Sequence, residues 1–296
     1  MGIHRRDFLR LFAVAVAVPR EIIGGLERLA SLEYGKISHT QPKWVEIQDG
    51  LYFARVDILR GEELIDRIAI AKFDPSKNKL RVFTKYEGPN KYSLLNIEQW
   101  QRETGASVMF NSAQYLAKPW GAPIAYIITD GKLIGQRHPY VRGMLVAEPN
   151  DKRLTLVDLL DFEYDKFDIR TTSYTQGVQH WPILLDRKGK IKVNPSDWQA
   201  NRTVVAKDRS GNMLVFVTEG GFFTLYNFGR FLKESGLDIH TAMNLDGGYE
   251  ASMAIRTPSL HYTTYGQFET YGPNRNVSIP KAKIAIPTAI GIFPRK

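Results

Sequence analysis

From Trp44 to the C-terminus the chain is a succession of short apolar runs, each cut by a turn. Residues 44–48 and 51–59 flank Asp49-Gly50, a strong two-residue hairpin signal. Residues 65–73 alternate apolar and polar and stop at Asp74-Pro75, and 80–84 is another short run. Residues 124–129 and 132–134 face each other across Asp130-Gly131. The same pattern pairs 141–147 with 154–160 across Asn150-Asp151, and 203–207 with 213–218 across 208–212. Further strand-like runs are 107–110, 183–185, 241–245, 252–256 and 284–292. A chain so punctuated buries its apolar residues chiefly as sheet.

Helical signals are few. One helix is expected over 97–104, entered at Asn96 and ended by Gly105. A second is expected over 225–235, with Thr224 as N-cap and Gly236 as the stop. The fold class expected is therefore α/β or α+β, with mixed sheets and flanking helices in one domain over residues 40–296. Residues 257–280, rich in Tyr, Thr, Pro, Gly and Asn, form one long loop in this reading. No internal repeat and no low-complexity linker divides the chain.

The N-terminus carries a different signal. His4-Arg5-Arg6-Asp7-Phe8-Leu9-Arg10 is followed by an apolar stretch from Leu11 to Val18. Paired arginines, Phe-Leu, a basic residue and a modest apolar segment resemble a bacterial twin-arginine export signal. Residues 1–30 are assigned to it, which places the mature protein in the periplasm or outside the cell. Ile22, Ile23, Leu26, Leu29 and Leu32 fall at helical spacing, so a short amphipathic helix follows or overlaps the processing region.

Composition removes several classes of function. With no cysteine there is no disulfide, thiolate metal site or cysteine nucleophile. No run of ~18 apolar residues exists to span a membrane. The formal charge of +9 is spread along the chain without a dense basic run, which disfavours nucleic acid as a partner. Such a field modestly favours anionic partners such as phosphate-bearing glycans. No GxSxG elbow, Walker loop, strand-linked GxGxxG or HExxH is present. Asp, Glu and Asn are frequent enough to leave room for a divalent cation such as calcium, without a recognisable loop for it. Oligomeric state leaves no signal in the sequence.

One unit has geometric content. Strand 213–218, helix 225–235 and strand 241–245 form a strand–helix–strand crossover in this reading. If its strands are parallel neighbours, Glu219 and Asp246 both lie just past their carboxyl ends, where open sheets bind ligands. Each acid precedes two glycines, Gly220-Gly221 and Gly247-Gly248, which permit close approach of backbone to a ligand. Two carboxylates across a cleft suit glycosidic cleavage. Read alone, Asp246 also fits a turn aspartate and Glu219 a solvated turn acid. Arg202, just before a strand, fits a phosphate grip in fork geometry or a surface ion pair. Asn111 fits a sugar or amide contact, or turn initiation. His180-Trp181-Pro182 fits a sugar-stacking lip or ordinary packing.

The run Ala242-Met243-Asn244-Leu245-Asp246-Gly247-Gly248 resembles the signature of the phosphodiester glycosidase family. Other blocks follow in the family's order. Asn111 stands where the family has the Asn of Asn-Gly-Gly-Tyr-Phe. Pro182-Ile183-Leu184-Leu185 through Gly189 resembles its Gly-Pro-Val-Leu segment. Arg202-Thr203, Thr218-Glu219-Gly220 and Thr224-Leu225 match its Arg-Thr pair, its acid-glycine step and its helix start. The resemblance covers roughly residues 105–256. It implies two stacked mixed sheets and cleavage of a sugar linked through its anomeric carbon to a phosphodiester. Bacterial relatives are described as exopolysaccharide-associated.

Carried over residue by residue, the resemblance assigns Asp246, Glu219 and Arg202 to catalysis. Asn111, Asn244, Gly247 and Gly248 go to substrate binding, and Glu250 and His180 join them on the reading of their own positions. Two departures stand out. Ser112-Ala113-Gln114-Tyr115 replaces the family's glycines, and Tyr249-Glu250 replaces its usual Gly-Ser. The reading that follows is an exported hydrolase of glycosyl-1-phosphodiesters in envelope or extracellular glycans. Alternatives are a catalytically altered glycan-binding protein on the same fold, and an enzyme for a different phosphoryl or glycosyl bond.

Overall fold

The hairpin signals become antiparallel sheet. The computed structural model describes residues 37–86, 95–116, 121–270, 276–278 and 282–296. The expected export signal over residues 1–30, and the helical positions from Ile22 to Leu32, lie outside the described residues.

The largest sheet contains β1 (Ile37–His39), β2 (Val45–Gln48), β3 (Leu51–Arg60) and β4 (Glu63–Phe73). From the second half it adds β12 (Ile183–Leu185), β13 (Thr203–Asp208), β14 (Met213–Thr218) and β15 (Ile239–Asn244). Its order is β1-β3-β4-β14-β13-β15-β12, with β2 also paired to β3. A second sheet holds β7 (Ile127–Thr129), β8 (Lys132–Ile134), β9 (Gly143–Pro149), β10 (Val157–Asp161) and β11 (Tyr174–His180). A third holds β5 (Asn78–Thr84), β6 (Val108–Asn111), β16 (Ser252–Arg256), β17 (His261–Tyr265) and β20 (Thr288–Pro294). A small hairpin, β18 (Phe268–Thr270) with β19 (Asn276–Ser278), stands apart.

The three sheets enclose one apolar core. Val205, Val215 and Met243 enter it from the first sheet, Leu145 and Val178 from the second, Val108 and Phe110 from the third. Each helix covers an outer face. Helix α1 (Ile97–Thr104) opens with a reciprocal cap: Asn96 Oδ1 accepts from Gln99 N, and Gln99 Oε1 accepts from Asn96 N. It packs Trp100 on the third sheet beside Phe83 and Met109. Helix α2 (Leu225–Glu234) opens at Thr224, whose Oγ1 accepts from Asn227 N, and packs Phe228 and Phe231 against Phe216 of β14. Strands β13 and β14 are thus covered on both faces. That explains why their sequences are continuous apolar runs rather than alternating ones.

Three expectations are corrected. Strand far outweighs helix, and every strand pairing among the described residues is antiparallel, so the domain is mostly antiparallel β rather than an α/β mixture of mixed sheets. The strands flanking α2 are not neighbours: β13 lies between β14 and β15 and is antiparallel to both. They run in the same direction one strand apart. The long loop over 257–280 is instead partly strand, because β17 pairs with β16 and β18 with β19.

Asn201 ties the small hairpin to the large sheet. Fully buried, it donates from Nδ2 to the Thr218 carbonyl (2.8 Å), and its Oδ1 accepts from Gln267 N (3.0 Å) and Phe268 N (2.9 Å). Asn201→Ala would strand these groups and is expected to cost about 2–3 kcal/mol. Urea unfolding measures it, and an unchanged midpoint would remove Asn201 as the tie.

Candidate functional site

Register brings the sequence-predicted residues to one edge. Val204 of β13 lies opposite Phe216 of β14 and Asn244 of β15. Arg202, entering β13, therefore sits between the exits of β14 and β15, where the chain continues into Glu219 and Asp246. Backbone bonds hold the arrangement: Thr218 N donates to Arg202 O (3.0 Å) and Leu245 N to Thr203 O (2.8 Å). Asn244 N donates to Pro182 O (2.9 Å), which brings His180-Trp181-Pro182 to the same edge.

Asn111, at the end of β6, locks the edge to the third sheet. Its Nδ2 donates to the Asp246 carbonyl (2.6 Å), and its Oδ1 accepts from Thr203 Oγ1 (2.7 Å) and Ser252 N (3.0 Å). Asp246 N donates to the Ser112 carbonyl (3.0 Å). Both ends of the Asn111 amide are engaged within the protein, so it organises the Asp246 turn.

Beyond that turn lies a tight cleft with no room for a water molecule, whose lining includes Asn111, Ser112, Tyr115, Asp246, Glu250 and Thr288. Asp246 is 6% exposed. The 3-10 turn Gly248–Glu250 carries Glu250 into the cleft, where Tyr115 Oη donates to its Oε1 (3.1 Å). Ser112 Oγ is buried and has no hydrogen-bond partner among the described residues. The two motif glycines have separate steric reasons. A Cβ on Gly247 would lie 2.8 Å from the Asn201 carbonyl. Gly248 has φ +65°, and a Cβ there would strike the Glu269 carboxylate.

Arg202 and Glu219 are engaged elsewhere. Arg202 is 8% exposed; Nε donates to the Phe223 carbonyl (3.0 Å) and Nη2 to the Trp198 carbonyl (2.6 Å). The fork expected for phosphate is thus occupied by backbone, while Nη1 lies on the Gly247 side. Burial brings its pKa down to about 10, opposed by the charge of Glu269, so it remains a cation at neutral pH. Glu219 does not join Asp246 in the cleft. Its carboxylate accepts from Arg55 Nε and Nη2 (both 2.7 Å) and from Tyr262 Oη (2.8 Å), facing β3 and β17. Its turn is held from behind by Asp66, which accepts from Gly220 N (2.6 Å) and Phe222 N (3.1 Å).

On the other flank, His180 is buried and Nδ1–H donates to the Asn244 carbonyl (2.7 Å). Burial pushes its pKa down to about 4, so the ring is neutral and Nε2 is an acceptor. Asn244 donates from Nδ2 to Leu245 O (2.6 Å). Neither His180 Nε2 nor Asn244 Oδ1 has a partner among the described residues. Trp181 stacks on both His138 and His180. No three His, Asp or Glu side chains among the described residues converge as a metal-ligand set. A larger cleft, about 460 Å³, lies at the far end of the third sheet beside Arg102, Arg256 and His261 and contains none of these residues.

The sequence matches the phosphodiester glycosidase family over residues 104–293. The chain belongs to that family. The family name is that of glycosidase-type hydrolases. No curated protein matches the sequence. Among solved structures, the fold is similar to the zebrafish N-acetylglucosamine-1-phosphodiester α-N-acetylglucosaminidase catalytic domain, auto-inhibited by its pro-peptide. There the TM-score is 0.57 at 17% identity, covering 88% of this chain and 84% of that one. A protein of unassigned function from Synechocystis gives 0.54 at 14% identity, covering 86% of this chain and 64% of that one. A Burkholderia pseudomallei protein described as exported gives 0.51 at 11% identity, covering 81% and 77%. No helix among the described residues is long and apolar enough to cross a membrane.

Glu269 and Ser112 were not foreseen as site residues. Glu269 comes from the segment expected to be loop, and no local spacing connects it with Gly248. Ser112 and Tyr115 were visible only as departures from the family motif.

The buried neutral His180 has a stability consequence. Its folded pKa lies below the ordinary 6.5, so on acidification the unfolded chain is protonated first. The stability it contributes above pH 6.5 is lost on descent towards pH 4. His180→Gln is expected to flatten unfolding free energy across that window, by at most about 1.4 kcal/mol per pH unit. Identical urea midpoints-versus-pH for both proteins would refute the neutral buried ring.

Proposed function

We propose that this protein is an exported hydrolase that cleaves the sugar–oxygen bond of glycosyl-1-phosphodiesters in cell-envelope or extracellular glycans. The observation that carries the reading is the Asp246 turn. A buried carboxylate within the family-matched segment lines a tight cleft at a sheet edge, with a buried arginine and two close-packed glycines behind it.

The chemistry asks for little acid catalysis, because a phosphomonoester is a good leaving group. Asp246 stabilises positive charge growing at the anomeric carbon. Arg202 acts on the phosphate through the field of its buried charge and through Nη1, rather than as a fork. Asn111 orients the Asp246 turn, and Asn244 and His180 offer acceptors to sugar hydroxyls. The +9 charge draws an anionic glycan towards the molecule. The Arg5-Arg6 segment supports export.

The test is sugar release from a panel of sugar-1-phosphodiesters, including N-acetylglucosamine-1-phosphate linked to a simple sugar, with and without chelator. Wild type should release the sugar and a phosphomonoester. Asp246→Asn should lower kcat by about 100-fold or more while KM moves little. Full turnover by Asp246→Asn would sink the assignment. Glycan binding without release would favour the binding-protein reading.

A further inference from the structure

We propose that the open cleft at the far end of the third sheet is a second anion site, which holds a phosphate of a phosphate-bearing glycan away from the Asp246 edge. The glycan as the source of that phosphate rests on the proposed function; the site itself does not. The cleft has a volume of about 460 Å³. Ligand pockets run from roughly 300 to 1,000 Å³. Its walls carry Arg102, Arg256 and His261, with Gln101 and Thr257 beside them, and no carboxylate.

Three elements end there. Helix α1 brings Gln101 and Arg102 in its last turn and stops at Gly105, whose φ is +69° and whose N–H donates to Gln101 O (2.9 Å). Met253 and Ile255 of β16 enter the central core, whereas Ala254 packs with Trp100 of α1. Alternation therefore puts Arg256 on the α1 face of the sheet. His261, the first residue of β17, pairs directly with Arg256, so both belong to that face. The turn between them is fastened. Leu260 N donates to Thr257 Oγ1 (3.1 Å), Thr257 N to Leu260 O (3.0 Å) and Ser259 Oγ to Ile47 O (3.0 Å).

Charge sets the place apart. Other exposed arginines hold a carboxylate, as Arg81 holds Asp130 and Arg153 holds Asp151. Arg102 and Arg256 are exposed and have no ion pair among the described residues. The acid one turn before Arg102 is Glu98, and Lys283 Nζ and Tyr265 Oη already bond it (both 2.7 Å), so it meets Arg102 only as a field. A cation in the last turn of a helix complements its dipole, which accounts for Arg102. It does not account for Arg256, which ends a strand opposite a histidine, where two like charges would weaken the pairing. A guanidinium fork matches the oxygens of a phosphate, and an imidazole offers an N–H in either charge state.

Arg256 lies four residues along β16 from Ser252, whose N–H bonds the Asn111 amide at the Asp246 edge (3.0 Å). At the rise of a strand that is roughly 13 Å. The cleft therefore takes a different part of the ligand from the Asp246 turn, namely a phosphate farther along the chain.

The experiment treats the full chain with phenylglyoxal, which modifies accessible guanidiniums, at low salt, and follows each arginine by peptide mass spectrometry. The probes are a phosphomannan, the same mannan with its phosphate removed, and inorganic phosphate at equal phosphate concentration. Phosphomannan should slow modification of Arg102 and Arg256 by about fivefold or more, and that of Arg60 by less than about twofold. Arg60 is the comparison because it too is exposed without an ion pair among the described residues. Phosphate-free mannan should protect neither, and salt at about 0.5 M should remove the protection. Arg102→Gln with Arg256→Gln should bind phosphomannan about fivefold or more weakly than Arg60→Gln with Lys152→Gln, which removes the same charge. Equal protection of Arg60, or equal weakening in the two double variants, would reduce the cleft to general charge attraction and overturn the proposal. Equal protection by inorganic phosphate would overturn the glycan as its ligand. The protection map needs no variant, so it decides even where the double variant fails to fold. Sugar release without protection at Arg102 and Arg256 overturns this site alone, whereas protection without sugar release overturns the proposed function and leaves the site.

Discussion

The Asn111 amide is the interaction on which the site depends. It joins the end of β6, the start of β13, the Asp246 turn and the start of β16 through three bonds of 2.6–3.0 Å. Those segments come from two different sheets. A buried amide left unsatisfied costs roughly 1–3 kcal/mol per group, so the sheets can meet here in one register only. An aspartate would lose the donor, and a leucine would lose all three bonds. Apolar packing between sheets is strong but tolerant of sliding, whereas this staple is not. It fixes where Asp246 lies relative to Ser112, and hence the shape of the cleft.

Strand direction does the rest. Because β14 and β15 are both antiparallel to β13, their carboxyl ends and the amino end of β13 share an edge. Residues distant in sequence arrive there without any of them being local neighbours. What each does then depends on what it bonds. Arg202 reaches back to Phe223 and Trp198, so it holds the chain around α2 to the edge as well as placing a charge there. Asn201 does the same for the β18 strand, which carries Glu269 onto Gly248. The Gly248 position is therefore doubly restricted, by its left-handed φ and by the carboxylate against it.

Much of this was legible locally. Helix α1 falls on its expected span because Asn96, Gln99 and Gly105 are all local signals. The hairpins at Asp49-Gly50 and Asp130-Gly131 follow from turn chemistry alone. The strand Tyr174–His180 was missed because Gln176, Gly177 and Gln179 break the apolar pattern. In the structure those glutamines are buried and bonded, Gln176 accepting from Val82 N and Gln179 donating to Val141 O. Long-range bonds of that kind leave no periodicity. The insertion of β13 between β14 and β15 was hidden for the same reason. Nothing in the crossover itself says how many strands it spans. The signature around Asp246 was legible, but the division of labour among nearby acids was not, since partners such as Arg55 and Tyr115 lie more than a hundred residues away.

That division can be argued from lone pairs. A carboxylate has about four acceptor sites, and a base must keep one aimed at the reacting water. Both oxygens of Glu219 hold a two-pronged guanidinium, and one also holds a tyrosine hydroxyl. Protonating it would weaken charge-assisted bonds, each worth roughly 1.5–3 kcal/mol, before any chemistry is gained. Glu219 thus supports the scaffold, joining the exit of β14 to β3 and β17.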